Sequence, residues 1–174
     1  MWKWLDRVID RFFAVAGALL FSQLPSFILQ YRQYLAGARA ELQAQLQQVE
    51  QVAHANGKTV GQLIEKFSQS SDVDVQGQGT VLHEMLHRLQ YLSDLMEQLS
   101  SANWMIRPFV FIRHLQRDLF EGTLAHYQPT VNFTFEGLFW AFVGLFFGFL
   151  TYALIKSLFR ALFRLFRTPT KSTN

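Results

Sequence analysis

Two long apolar segments, Phe12 to Leu29 and Leu138 to Ile155, stand near opposite ends of the 174-residue chain. A polar, Gln-rich stretch of roughly a hundred residues separates them. Each segment is close to the ~20 residues that a helix needs to cross the hydrocarbon core of a bilayer. Nothing else in the sequence constrains the fold as strongly. The expected organisation is a cytoplasmic amphipathic start (1–11), a first transmembrane helix (12–29), a periplasmic helical domain (30–133), a second transmembrane helix (134–155) and a cytoplasmic basic amphipathic tail (156–174).

Orientation follows from Lys and Arg close to the anchors, because cytoplasmic flanks carry the excess. Lys3, Arg7 and Arg11 precede the first anchor. Lys156, Arg160, Arg164, Arg167 and Lys171 follow the second, with no acidic residue among them. The segment Gln30 to Asn132 holds eight Lys and Arg against ten Asp and Glu, so its net charge is −2 while the whole chain is +3. Both flanks are expected in the cytoplasm and the central segment outside it. A cleaved signal peptide is the competing reading of the first anchor. It needs a small-residue cleavage site, and Ser22-Gln23-Leu24-Pro25 leads instead into Ser26-Phe27-Ile28-Leu29. Trp2 and Trp4 are expected at headgroup level, where an indole is apolar yet can donate a hydrogen bond.

Helical periodicity dominates the rest. Pro25 removes one helical hydrogen bond and is expected to kink the first anchor near its outer end. Leu35, Ala38, Leu42, Leu46, Val49 and Ala53 recur at threes and fours until Gly57 ends the run. Thr59 and Gln62 form a capping box ahead of a short helix through Leu63, Ile64 and Phe67. Ser68 to Thr80, rich in Ser, Gln, Asp and Gly, reads as a loop. Leu82, Met85, Leu89, Leu92, Met96 and Leu99 then step as a heptad seam. It is expected to pack antiparallel on the Leu35 stripe as a helical hairpin. Pro108 opens a further helix through Ile112, Leu115 and Leu119, and Pro129 stops it before the second anchor. The fold class is all-α: two transmembrane helices bracketing an extramembrane helical hairpin with a short extra helix.

The second anchor carries Gly137, Ala141, Gly144 and Gly148 on one face, and the first offers Ala14, Ala18 and Ser22 at the same spacing. Small residues let helices approach closely in lipid, where no hydrophobic drive brings them together. Packing of the two anchors within one chain is the preferred use of these faces, and self-association between copies is the other. Past Ile155, Lys156, Arg160, Arg164 and Arg167 form a stripe opposite Phe159, Leu162, Phe163 and Phe166. Such a segment suits anionic headgroups at the cytoplasmic interface; a positive-inside stop signal explains it equally well.

Several short patterns invite a chemical reading. His83-Glu84-Met85-Leu86-His87 matches the zinc-protease motif, in which two His one turn apart hold a metal and the Glu activates its water. Asp94 stands as a possible third ligand. Yet the heptad seam turns Leu82, Met85 and Leu89 inward and so puts His83 and His87 outward, and a thin hairpin supplies no substrate cleft. A surface position without catalysis is preferred, an incidental metal contact being the remaining alternative. Gly57-Lys58-Thr59 has Val52 where a phosphate loop requires its first Gly. Asp72, Asp74 and Gly77 suggest a calcium loop, but His83 occupies the place of the bidentate Glu. His114 and Asp118 read as a surface pair on one helix. Glu136, at the outer end of the second anchor, reads as a helix cap in preference to an ion-handling carboxylate. No catalytic residue and no cofactor are expected, the lack of cysteine removes thiol chemistry, and a net positive charge found only at the anchor flanks argues against nucleic acid.

Three stretches together carry a family likeness: Ser22-Gln23-Leu24-Pro25 with Gln30-Tyr31 and Leu35-Ala36-Gly37-Ala38; Arg113-His114-Leu115; and Tyr127-Gln128-Pro129 with Phe135-Glu136-Gly137. In this order they resemble the short proteobacterial membrane proteins catalogued as domain of unknown function 2937, from about Phe12 to Tyr152. The resemblance implies an inner-membrane protein with two anchors and a periplasmic helical loop, and it brings no activity and no functional residues. From the residues themselves, the leading expectation is a non-enzymatic scaffold whose hairpin binds itself or another membrane or periplasmic protein. A homo-oligomeric pore or transport accessory using Glu136 is the alternative, and a tethered zinc protease the third.

Overall fold

In the computed structural model, residues 2–130 and 134–166 are described, with side chains for 4, 6–130 and 134–162. Every regular element among the described residues is a helix: α1 (Trp2–Ser22), α2 (Leu24–Ala55), α3 (Val60–Ser68), α4 (Val73–Ser101), α5 (Arg107–Arg113), α6 (Arg117–Ala125) and α7 (Phe135–Phe166). They divide into two compact units. One comprises residues 1–27 and 128–174, and the other residues 28–127.

The first unit is the pairing of α1 with α7. Pro25 acts where the sequence places it. The helix breaks at Gln23, whose N–H bonds back to Leu20 O at 3.2 Å, and α2 restarts with Pro25 in its first turn, where its missing donor is harmless. The apolar stretch crosses this one-residue break. It and α7 are each long and apolar enough to span a membrane, and only 17% of each apolar window is buried. The core helix of a soluble protein would bury most of such a window.

The second unit is built on thin seams. On α2, Tyr31, Leu35, Leu46 and Ala53 are buried, with Ala38, Leu42 and Val49 half-buried between them. On α4 the fully buried side chains are Leu92, Leu95 and Leu99, with Leu82 close behind. Leu95 lies outside the heptad reading yet is buried more deeply than Met85, Leu89 or Met96. Its spacing of three from Leu92 and four from Leu99 places it on the same helical face. Arg32 donates from Nη2 to Ser100 Oγ at 3.0 Å, tying the early part of α2 to the last turn of α4.

Helix ends follow elementary capping rules. Gly57, at φ 63°, closes α2: its N–H bonds to His54 O and that of Lys58 bonds to Ala53 O, both at 2.9 Å. Thr59 and Gln62 form the reciprocal box that opens α3. The residues of the suggested phosphate loop are therefore a helix stop followed by a helix start.

Two sequence expectations need correction. Ser68 to Thr80 is not a loop, because α4 begins at Val73 and leaves only residues 69–72 between α3 and α4. Asp72 caps that start by accepting from Asp74 N at 2.9 Å, and Gln76 reaches back to Ser70 O at 2.7 Å. The polar, Gly-rich composition that suggests a loop instead serves a cap and a close helix contact. The helix opened by Pro108 likewise does not run through Leu119. It stops at Arg113, and α6 begins at Arg117. At that break the Gln116 N–H donates to the hydroxyl of the fully buried Tyr31 at 3.4 Å, so a side chain takes a donor that an unbroken helix would use internally. The unit therefore holds three short helices, α3, α5 and α6, where the sequence predicts one short helix after Thr59 and one longer helix from Pro108.

Gly79 and Gly77 give a paired test. A methyl added at Gly79 would stand 3.0 Å from Ser68 N and 3.1 Å from Phe67 Cβ, whereas one at Gly77 meets nothing within 4 Å. Gly77→Ala is expected to stabilise the protein by up to about 1 kcal/mol through helix propensity. Gly79→Ala is expected to destabilise it by roughly 1 kcal/mol, overpacking outweighing that gain. Thermal unfolding of the two variants in detergent, read by circular dichroism, should shift in opposite directions.

Candidate functional site

The residues singled out for helix packing converge on the contact between α1 and α7. A methyl built on Gly17 would overlap Gly144 O, and one on Gly144 would overlap Gly17 O. At Gly148 the added methyl would overlap Phe13 O and stand 2.9 Å from Ala14 Cα. Three glycines thus let two backbones meet with no side chain between them. Rising numbers on α1 meet falling numbers on α7, so the helices are antiparallel. Ala14 is buried in this contact, Gly137 is buried, and Ala18 and Ala141 are half-buried. Gly17, absent from the sequence reading, is the counterpart of Gly144; it stands three residues from Ala14, and a search for small residues at spacing three as well as four would have found it.

Aromatic rings seal both sides of the glycines. Phe21 stacks on Phe147 with centroids 5.6 Å apart and planes 9° from parallel. Phe13 meets Tyr152 at 5.8 Å. Such pairs add about 0.5–1.5 kcal/mol beyond the area they bury.

One charged group completes the pairing. Tyr152 donates its hydroxyl proton to Asp6 Oδ1, and Lys156 Nζ pairs with Asp6 Oδ2. The same ammonium lies 5.6 Å from the centroid of the Tyr152 ring, within cation–π reach. Arg160 donates from Nε to Lys156 O at 3.3 Å. Lys156 is therefore held by a carboxylate of the neighbouring helix as well as standing in the basic stripe. Asp6 went unnoticed in the sequence because Lys3, Arg7 and Arg11 dominate its neighbourhood. An acid among three bases, opposite a lysine in an antiparallel pair, is the signal that was there. Trp4 is exposed. The side chains of Trp2 and Arg164, and the whole of Arg167, lie outside the described residues.

Glu136 occupies the first turn of α7, where a carboxylate complements the positive helix end. Thr134 caps the same end by accepting from Gly137 N at 3.1 Å. His83, Glu84, His87 and Asp94 are all exposed on α4, and among the described residues no three His, Asp or Glu side chains stand as a metal-binding group. His114 and Asp118 do not share a helix. His114 caps the end of α5, while Asp118 opens α6 and pairs with Arg88 at 2.7 Å.

A family model described as protein of unknown function (DUF2937) matches residues 5–167. The chain belongs to this family. The match covers both apolar helices and the whole of the second unit of this DUF2937 protein. No curated protein and no solved structure matches it.

The glycine contact can be tested directly, because the chain contains no cysteine. A Phe21→Cys, Phe147→Cys double variant should be joined within one chain by a short thiol cross-linker. Adding Gly144→Val should abolish that intrachain product on denaturing gels, since the isopropyl group needs space that α1 backbone fills. Persistence of the product would show that the two helices do not depend on this approach.

Proposed function

We propose that this DUF2937 chain is a non-enzymatic scaffolding protein of a bacterial inner membrane. Both flanks lie in the cytoplasm and the central helical segment, residues 30–133, lies in the periplasm, where it associates with itself or with another membrane or periplasmic protein. The observation that carries this reading is the backbone contact of Gly17 with Gly144 and Gly148. Both anchors use their small-residue faces on each other, so association with other molecules falls to the extramembrane unit.

Charge supports the topology, since basic residues dominate the flanks and the central segment is net acidic. The Arg32–Ser100 bond supports closure of α2 against α4 as an antiparallel hairpin within one chain. Away from their seams both helices are largely polar: Gln43, Gln45, Gln47, Gln48 and Gln51 are exposed along α2. Long amphipathic helices with such faces present many hydrogen-bonding groups and little enclosed volume. That suits recognition of another surface better than enclosure of a small substrate.

Purification of the full chain in mild detergent followed by native mass measurement tests the proposal. The expected result is a discrete complex, either a multiple of the 20.2 kDa chain or the chain with a stoichiometric second protein. Its mass should be unchanged by Gln45→Lys alone if the interface is broad. A monomer with no co-purifying protein would contradict the scaffold.

A further inference from the structure

We propose that α5 is an interfacial membrane helix, lying in the headgroup region of the leaflet from which the first anchor emerges. The proposal rests on the membrane-spanning reading given above. Three observations within the second unit lead to it.

The first concerns the two faces of α5. Pro108 and Phe111 point inward and are buried. Phe109 and Ile112, three apart, flank that buried face as an exposed apolar strip, Phe109 66% exposed and Ile112 64%, and exposed Met105 lies in the turn just before the helix. Ile106 and Leu115 extend the patch. On α2 and α4 most outward positions are polar, and the exposed apolar residues, such as Val52 and Leu86, stand apart from one another. A helix that is apolar on an exposed strip as well as on its buried face is not adapted to water.

The second concerns depth. The Phe111 ring meets Tyr31 edge-on, with centroids 4.9 Å apart. Tyr31 lies two residues beyond Leu29, where the apolar stretch ends, and α2 passes through both without interruption. Two helical residues rise about 3 Å. Because Phe111 is held against Tyr31, α5 sits at the level where the anchor leaves the hydrocarbon. An outward-facing Phe and Ile at that level meet lipid.

The third concerns charge. From Ala102 to Gln116 the chain carries Arg107 and Arg113 and no acidic residue, in a unit that is otherwise net acidic; Arg117, next in line, is paired with Glu121 at 2.7 Å. Arg113 is exposed beside Ile112. Guanidinium groups bordering an apolar face suit phosphate headgroups above acyl chains. The occupant is therefore the surface of an anionic phospholipid leaflet, and burial by a second protein is the outcome to be distinguished.

The natural lack of cysteine again supplies the experiment. Full-length protein carrying Phe109→Cys, Ile112→Cys, Val52→Cys or Phe146→Cys is labelled with an environment-sensitive fluorophore. Each is reconstituted into nanodiscs of mixed zwitterionic and anionic phospholipid with a lipid-borne quencher placed either shallow or deep. Val52 is exposed near the far end of α2, roughly 30 Å past Tyr31 along the helix. Phe146 is exposed in the middle of the apolar stretch of α7. The labels at 109 and 112 are expected to lose most of their fluorescence to the shallow quencher, the label at 146 to the deep one, and the label at 52 to neither. If 146 is quenched while 109 and 112 respond only to aqueous iodide, the interfacial role is overturned and the membrane-spanning reading stands. If 109 and 112 are shielded from both lipid and iodide, a protein covers α5 and the proposal fails. If 146 is not quenched, the membrane reading itself fails.

Discussion

The first unit depends on the place where α1 and α7 meet backbone to backbone. Gly17, Gly144 and Gly148 leave no room for even a methyl group between the helices. In lipid, water gives no drive to bring apolar helices together, so close packing supplies the association. The stacked Phe21 and Phe147 rings add contact area on the flank, and the Asp6, Tyr152 and Lys156 cluster fixes the register at one end. Small residues recur every turn on both faces, so the glycine contact alone leaves neighbouring registers sterically open, and the pairing of Asp6 with Lys156 selects one of them.

The second unit, residues 28–127, follows a different pattern of contacts. Its core is a line of Leu and Tyr side chains along two long helices, and short helices bind to that line at specific points: α3 at Gly79, α5 at Tyr31 and α6 at Gly122, where an added methyl would overlap the Tyr34 ring. Tyr31 is the most heavily used of these. Its ring receives Phe111 and its hydroxyl receives the Gln116 N–H. A unit of this size with so thin a core is stabilised only modestly on its own, which is consistent with surfaces on lipid or on a partner contributing to its stability.

Much of this was legible in the sequence, and the reasons are specific. The anchors, the Pro25 break, the Gly57 stop, the Thr59 box and the Leu35 stripe each depend on local chemistry that a short window of residues carries. The start of α4 at Val73 was misread because Gly, Ser and Asp favour turns locally, and only the approach of α3 explains the glycine at position 79 inside the helix. The break at Gln116 was missed because its cause, the Tyr31 hydroxyl, lies 85 residues away. The same holds for Asp6, whose partner Lys156 is 150 residues distant. The small-residue faces were visible, but the spacing chosen for the search passed over Gly17. Side chains that act through distant partners leave no periodic trace, and the candidate site consists largely of such side chains.

The central claim is that two anchors, locked together by glycines, hold residues 30–133 on one side of a membrane and both flanks on the other. The most direct test labels Gln48→Cys and Ser157→Cys variants with a membrane-impermeant thiol reagent in intact spheroplasts. Both positions are exposed in the structure. The account predicts that Gln48→Cys reacts before lysis and Ser157→Cys only after it. Equal reaction of both before lysis, or of neither, would contradict it.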